Sequence, residues 1–421
     1  MKVTILTFGT RGDVQPFVAL GMGLCRAGYD VRLATYARFQ SLADSAGIPF
    51  FPITGDIHAI LFGKPGRKAL DGGGPVAIAR AGVKHMRPML PELVAQCMEA
   101  CEGSDVLLLG GAGNVAGTTI AEKLDIPFVA AFLQPLSTPT REYAAAFFPR
   151  LPIEVGPVNR LSYRLAVQGF WQFFRRAINE ARQSYFDMPP LPFLGPFGRY
   201  ASEKRPILYG YSRHLVPRPA DWPDHAWVTG NWFLERSRGW KPDRDLLAFM
   251  EAGPPPVYIG FGSMNSRDPQ RTTRLVHDAL AETGQRGILL SGWGGMISES
   301  RPKHIFVAED IPHDWLFPRV SAVVHHGGAG TTAAGLRAGA PTVTIPFFGD
   351  QPFWGWRVYK LGAGPKPLPQ KRLTKEKLAC AIDRAVNDAS MRTNALALRE
   401  KLVAEDGVGN AVARFQALFP S

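Results

Sequence analysis

Cysteine is scarce: Cys25, Cys97, Cys101 and Cys380 are the only four in a chain of 421 residues. So few thiols give no disulfide framework, and reduced cysteines in a cytoplasmic protein are expected. Cys97 and Cys101 stand one helical turn apart, but no second Cys or His pair stands near them to complete a zinc site, so no metal is expected. Long apolar runs are also missing. Val106–Leu109 and Val129–Leu133 fall far short of the roughly 20 residues of a bilayer span. Met1–Phe8 runs into a β-branched stretch with no small-residue cleavage site, so no secretory signal is read there. These absences leave a globular protein, expected to be soluble and cytoplasmic.

Acidic residues are in deficit. Forty-eight Lys and Arg face 36 Asp and Glu, a net charge of +12, and Arg141–Ala220 alone holds 12 basic and 5 acidic residues. These basic residues come singly or as the pairs Arg175-Arg176 and Lys204-Arg205, without a zinc-finger, RRM or helix-turn-helix signature, so no nucleic acid is expected as partner. The expectation that remains is a solvated basic face in peripheral contact with an anionic membrane surface.

What is present is an alternation of buried-strand and helix patterns. Val3–Phe8 reads as a strand, Val14–Arg26 as a helix with Pro16 in its first turn, and Val31–Thr35 as the next strand, which makes a β-α-β unit. Apolar runs at Phe50–Ile53, Val106–Leu109 and Phe128–Phe132 extend it to a parallel sheet covered on both faces. Gly63–Pro75, rich in Gly and Pro, reads as a loop. Prolines then accumulate from 189 to 223, and after Pro254-Pro255-Pro256 a second series begins at Val257, with strands near 287–290, 305–307, 322–325 and 342–345. The fold class expected is α/β, two Rossmann-like domains with a cleft between them at the carboxyl ends of both sheets. Residues 1–225 are expected to form the first domain, 226–255 a linker and 256–405 the second. A helix over 406–421 is placed to cross back to the first.

Three stretches carry chemistry. In Ala322–Thr332, two His, three Gly and two hydroxyls join a strand to a helix start, and the free N–H groups there suit a phosphate or diphosphate. Phe347-Phe348-Gly349-Asp350-Gln351 follows the next strand; its carboxylate and carboxamide suit vicinal sugar hydroxyls, or Asp350 caps the following helix. Arg11-Gly12-Asp13 follows the first strand, where Asp13 is either an N-cap or a general base. Asp243-Arg244-Asp245 looks like a metal-chelating pair but precedes a helix, and capping is the better account.

The combination of Gly9–Pro16, Phe261–Met264, Ser291–Gly295, His313–Phe317, His325–Thr332 and Pro346–Gln351 resembles the sterol 3β-glucosyltransferases. These are inverting UDP-sugar glycosyltransferases of the GT-B fold, with macrolide and glycopeptide antibiotic glycosyltransferases as relatives. The resemblance implies Asp13 as catalytic base, with Gly12 beside it on the donor. It implies His326, Gly328, Gly330, Thr331 and Ser263 as diphosphate contacts, and Asp350 with Gln351 as the pair that grips the hexose. Relatives in plants and animals pair a histidine base with an aspartate, whereas this loop offers Asp13 alone. Those relatives also carry a ribose-binding glutamate where Ala334 stands here, and their uracil-stacking tryptophan has no counterpart near Glu309–Pro312, which makes Trp293 the candidate. Fungal sterol enzymes add amino-terminal membrane-targeting domains, which are not read in this chain.

The activity implied is transfer of glucose from UDP-glucose to a hydroxyl of a hydrophobic small molecule, a sterol or terpenoid, with no cofactor or metal. Tyr143, Phe147, Phe148, Phe170, Trp171, Phe173, Phe174, Tyr185 and Phe186 crowd the acceptor half, either as helix core or lining a cleft. The alternatives are a macrolide or other secondary-metabolite enzyme using a UDP- or dTDP-sugar, a UDP-sugar 2-epimerase, and a non-catalytic sugar-nucleotide or lipid-binding protein.

Overall fold

A computed structural model describes residues 1–55, 89–148, 155–235, 239–262, 269–290 and 302–420. The chain divides into two compact units. The first comprises Met1–Tyr211, Arg218–Leu234 and Asp406–Ser421, and the second Ser212–Pro217 and Glu235–Glu405. Ser263, Trp293 and the expected loop Gly63–Pro75 lie outside the described residues.

The first unit grows from β1 (Lys2–Phe8), whose residues from Val3 onward are all buried. Burial on both faces is what a parallel strand between helical layers requires, and it explains a continuous apolar run without alternation. After β1 come α1 (Arg11–Arg26), β2 (Asp30–Tyr36), α2 (Gln40–Ser45), β3 (Phe50–Ile53), α3 (Leu90–Cys101), β4 (Val106–Gly111), α4 (Gly113–Leu124), β5 (Phe128–Phe132), the 30-residue α5 (Gly156–Tyr185) and α6 (Phe197–Ser202). Two short strands, β6 (Ile207–Tyr209) and β7 (Ala226–Val228), complete a parallel seven-stranded sheet in the order β3-β2-β1-β4-β5-β6-β7. Connections leave β1 toward β2 on one side, and β4 lies on its other side. This reversal of strand order opens a crevice at the carboxyl ends of β1 and β4, the usual ligand position in such sheets.

The second unit holds α7 (Arg244–Glu251), β8 (Val257–Gly260), α8 (Pro269–Thr283), β9 (Gly287–Leu290), β10 (Ile305–Ala308), α9 (His313–Leu316), β11 (Ala322–His325), α10 (Ala329–Arg337), β12 (Thr342–Thr344), α11 (Gln351–Lys360), α12 (Lys375–Asn387) and α13 (Ala389–Val403). Its five strands run parallel in the order β10-β9-β8-β11-β12, with the reversal between β8 and β11. Asp243 caps α7, its Oδ1 accepting the Leu246 N–H at 2.6 Å. That is the capping role read from the sequence.

The expected linker 226–255 needs correction. Its first residues form β7, the edge strand of the first sheet, and α7 belongs to the second unit. Strands of three residues are too short to show a period, and both short strands flank a proline-rich stretch that reads as irregular. The last helix, α14 (Gly407–Leu418), groups with the first unit, with Phe415 fully buried and edge-on to Tyr29 at 5.2 Å. The Tyr29 hydroxyl donates to the Phe419 carbonyl at 2.5 Å.

An ion pair fixes the far end of α5. Arg182, 1% exposed, meets Glu122 of α4 at 3.0 Å, and Arg199 of α6 joins the same carboxylate at 3.1 Å. Burial opposes ionisation of Glu122, but the two guanidiniums outweigh it and hold the carboxyl below its ordinary range.

Candidate active site

In the first unit, Asp13 stands just after β1, at the strand-order reversal. Thr10, not Asp13, occupies the N-cap of α1, and Asp13 is the third residue of the helix in a capping-box arrangement. The Thr10 backbone N–H and hydroxyl both donate to Asp13 Oδ2, at 2.7 and 2.9 Å. Oδ1 accepts no hydrogen bond among the described residues, so the carboxylate is anchored through one oxygen only. Gly9 makes this possible: its φ of +141° and the position of the Asp13 carboxylate, which a methyl at Gly9 would strike, both demand glycine. Burial pushes the Asp13 carboxyl above its usual range, partly offset by the Thr10 hydrogen bonds and the charge of Arg38. Arg38 is itself held by donating to the Gly9 carbonyl at 2.5 Å. Gly12 lies exposed in the first turn, with Thr10 Oγ1 as its nearest neighbour at 3.5 Å from an added Cβ, so access rather than backbone strain distinguishes it.

In the second unit, β11 ends on His325, flanked in register by Gly260 of β8 and Thr344 of β12. His325 is fully buried, and its Nδ1 accepts the Gly327 N–H at 2.9 Å, which ties the turn to the strand end. Gly327 has a φ of +92°, and a Cβ there would come within 2.9 Å of the Gln351 carbonyl oxygen. This close approach brings the glycine turn against the start of α11, so His326 and Asp350-Gln351 share one rim. His326 lies over two glycines: a Cβ on Gly328 would meet its Nε2 at 2.5 Å, and one on Gly262 its Cε1 at 3.3 Å. Its buried Nδ1 has no hydrogen-bond partner among the described residues. Burial, aided by the charge of His313, pushes this imidazole down to about 4, so it is neutral at pH 7.

Gly328 is the N-cap of α10, and the first turn holds exposed Gly330 and half-buried Thr331. An added Cβ on Gly330 meets nothing within 4 Å, so this helix start is open to a ligand. Thr332 is committed to the helix, its hydroxyl donating to the Gly328 carbonyl at 2.9 Å. An anion here meets unpaired helix-start N–H groups and the positive end of the helix dipole.

Asp350 occupies the N-cap position of α11, yet its carboxylate caps no backbone N–H. It accepts instead from the indole of buried Trp354, at 2.8 Å. The Gln351 carboxamide oxygen takes the Phe347 and Phe348 N–H groups at 2.8 and 3.2 Å, so on the carbonyl side Gln351 holds the loop. The nine acceptor-half aromatics do not form one lining: Trp171 and Phe186 are buried in separate clusters, while Phe147, Phe170 and Tyr185 are 45–50% exposed. No group of three or more His, Cys, Asp or Glu side chains that could hold a metal occurs among the described residues.

Sequence reasoning missed Thr10, Arg38 and Trp354, and counted His325 in the turn without giving it a role of its own. Trp354 was detectable, since it stands one helical turn after Asp350. Arg38 lies 25 residues from Asp13 in the sequence, and only the pairing of β1 with β2 brings it near.

Residues 3–144 match the glycosyltransferase family 28 N-terminal domain, and residues 295–418 match the erythromycin biosynthesis protein CIII-like C-terminal domain. A sterol 3-beta-glucosyltransferase of Arabidopsis thaliana is 38% identical over 100% of this chain and 68% of its own length. One from Cryptococcus neoformans is 35% identical over 98% of this chain but only 27% of its own. Among solved structures, the glycosyltransferase of kitacinnamycin superposes with a TM-score of 0.70 at 19% identity, covering 100% of this chain and 99% of that one. The glycosyltransferase SnogD from Streptomyces nogalater gives 0.66 at 19% identity, covering 99% of each chain.

Proposed function

The chain belongs to the sterol 3-beta-glucosyltransferase family, and we propose that it transfers glucose from UDP-glucose to the hydroxyl of a sterol or related terpenoid, inverting the anomeric carbon. Its fold is GT-B. The observation that carries the mechanism is the state of Asp13: a half-buried carboxylate at the carboxyl end of β1, with Oδ2 anchored by Thr10 and Oδ1 unbonded among the described residues.

Oδ1 takes the acceptor's proton as the acceptor oxygen attacks the anomeric carbon from the face opposite the diphosphate. An α-linked donor thereby gives a β-glycoside. Desolvation raises the basicity of Asp13, which favours proton abstraction near neutral pH. As the anomeric bond breaks, negative charge grows on the diphosphate. The N–H groups at the start of α10, around Gly330 and Thr331, meet that charge, and neutral His326 donates a further hydrogen bond. Donors fixed in advance stabilise such charge without reorganising during the reaction. Ser263 is assigned to the same diphosphate on the family pattern, and Trp293 is the candidate for the uracil in place of the family's tryptophan, which has no counterpart near Glu309–Pro312. Asp350 and the amide nitrogen of Gln351 face the hexose hydroxyls, with the Asp350 carboxylate oriented by Trp354. The reading needs no metal, because this chain's own dipoles and protons meet the leaving-group charge.

Asp13→Asn tests the reading. Asparagine keeps an oxygen to accept both Thr10 donors and removes only the basic site, so kcat is expected to fall by about 10² to 10⁴ with UDP affinity unchanged. The desolvated charge disappears as well, so the melting temperature is expected to hold or rise. A variant with wild-type kcat, chemistry being rate-limiting, overturns Asp13 as base.

A further inference from the structure

Exposed apolar side chains gather in one stretch of the chain. Of the 17 large hydrophobic residues that stand exposed among the described residues, ten lie between Phe147 and Phe197. On α5, Val158, Leu161 and Leu165 recur at helical spacing, 36, 49 and 52% exposed. Gln168 and Gln172 continue the same stripe. Their amides donate to the Phe193 carbonyl at 3.3 and 2.7 Å, and the Trp171 indole does so at 2.9 Å. Three donors on one carbonyl fasten the segment bearing Phe193 and Leu194 to the helix, although these side chains are 62 and 68% exposed. The Arg175 guanidinium lies 4.8 Å from the Phe193 ring centroid. The apolar stripe is thus a built surface.

Its charge has one sign. Residues 156–176 contain four arginines and no acid, and Arg160, Arg164 and Arg176 are exposed. A purely apolar partner would leave these guanidiniums without counter-charge, and a purely anionic polymer would leave the leucines in contact with water. A bilayer interface answers both, with anionic headgroups outside and acyl chains just beneath. We propose that this face of α5, with Phe193 and Leu194, rests on an anionic membrane surface. Val158, Leu161, Leu165, Phe193 and Leu194 enter the headgroup–acyl boundary, and Arg164, Arg175 and Arg176 lie along it with their guanidiniums at the phosphates. The proposal goes beyond the glycosyl-transfer reading and does not depend on it.

The test is co-sedimentation of the full chain with vesicles of phosphatidylcholine alone and of an equal mixture of phosphatidylcholine and phosphatidylserine. Binding is expected to the mixed vesicles and to weaken with salt. Arg164→Glu/Arg176→Glu is expected to lower partitioning at least about 25-fold, because each of the two basic residues near such a surface contributes about fivefold. Leu161→Ser/Leu165→Ser is expected to lower it at unchanged melting temperature. Wild-type protein left in the supernatant, or variants that partition like wild type, overturn the proposal. So does a dimer that Leu161→Ser/Leu165→Ser dissolves in the absence of vesicle binding, because a second copy then covers the face. Transfer to a detergent-dissolved acceptor is expected to be equal in all three proteins, and its failure in all three would count against the glycosyl-transfer reading and leave the vesicle result standing.

Discussion

His326 shows at the level of one residue how burial sets the charge state in the proposed donor site. It is half-buried among glycines and neutral, with its proton affinity pushed down to about 4 from an ordinary value near 6.5. A group with a lowered folded-state value stabilises the fold fully above the unfolded value, and that contribution is lost as pH falls toward the folded value. Between pH 6.5 and pH 5 the loss is about 2 kcal/mol, at about 1.4 kcal/mol per pH unit. His326→Gln cannot titrate, so its unfolding free energy is expected to fall less steeply than that of wild type over this range. The same side chain is expected to serve UDP: His326→Ala removes a hydrogen bond to a charged phosphate, worth about 1.5–3 kcal/mol. Calorimetry that finds equal UDP affinity removes His326 from the diphosphate site. At this scale the sequence was informative where chemistry and local spacing coincide, as in the glycine turn after β11. It was less informative about Asp13, where an N-cap and a base looked alike. Thr10 holds the N-cap, and the Asp13 carboxylate accepts from Thr10 through one oxygen only.

Among the elements, α5 and α4 are joined by a contact with no local sequence signal. Glu122 and Arg182 are 60 residues apart, and neither belongs to a motif. The guanidinium of Arg182 is buried and also donates to the Pro189 carbonyl at 2.8 Å, so it orders the turn that follows the helix. Removing the carboxylate strands a buried cation. Glu122→Ala is therefore expected to cost about 3 kcal/mol in chemical unfolding, a far larger effect than an exposed ion pair shows. An unfolding free energy within a few tenths of a kcal/mol of wild type removes the pair as the anchor of α5. Most strands of both sheets were legible because uninterrupted β-branched and aliphatic runs are what parallel, doubly covered strands need. β6 and β7 were not, since neither stands in a regular alternation of strand and helix patterns such as the one that makes the equally short β12 legible. The aromatic run on α5 was also ambiguous, because a helix that turns one face to the core and another to solvent spaces both sets alike.

For the molecule as a whole, two parallel sheets, each with a strand-order reversal, place Asp13 at one reversal and His325-His326 at the other. Both positions follow from strand order, since the crevice opens at the carboxyl ends of the strands where that order reverses. That much could be anticipated from the alternation of elements. The unit boundary at Leu234/Glu235 could not, because the chain leaves the first sheet through an edge strand that resembles a linker, and returns to the first unit only with α14. The central claim is inverting glucosyl transfer to a sterol hydroxyl. The measurement that tests it most directly is incubation of the purified full chain with UDP-glucose and a 3-hydroxysterol, followed by mass spectrometry of the product and the anomeric proton coupling in its NMR spectrum. The account predicts a monoglucosylated sterol in the β configuration, formed by wild type and lost in Asp13→Asn. An α-linked product, or turnover of UDP-glucose with no glucosylated sterol, would contradict it.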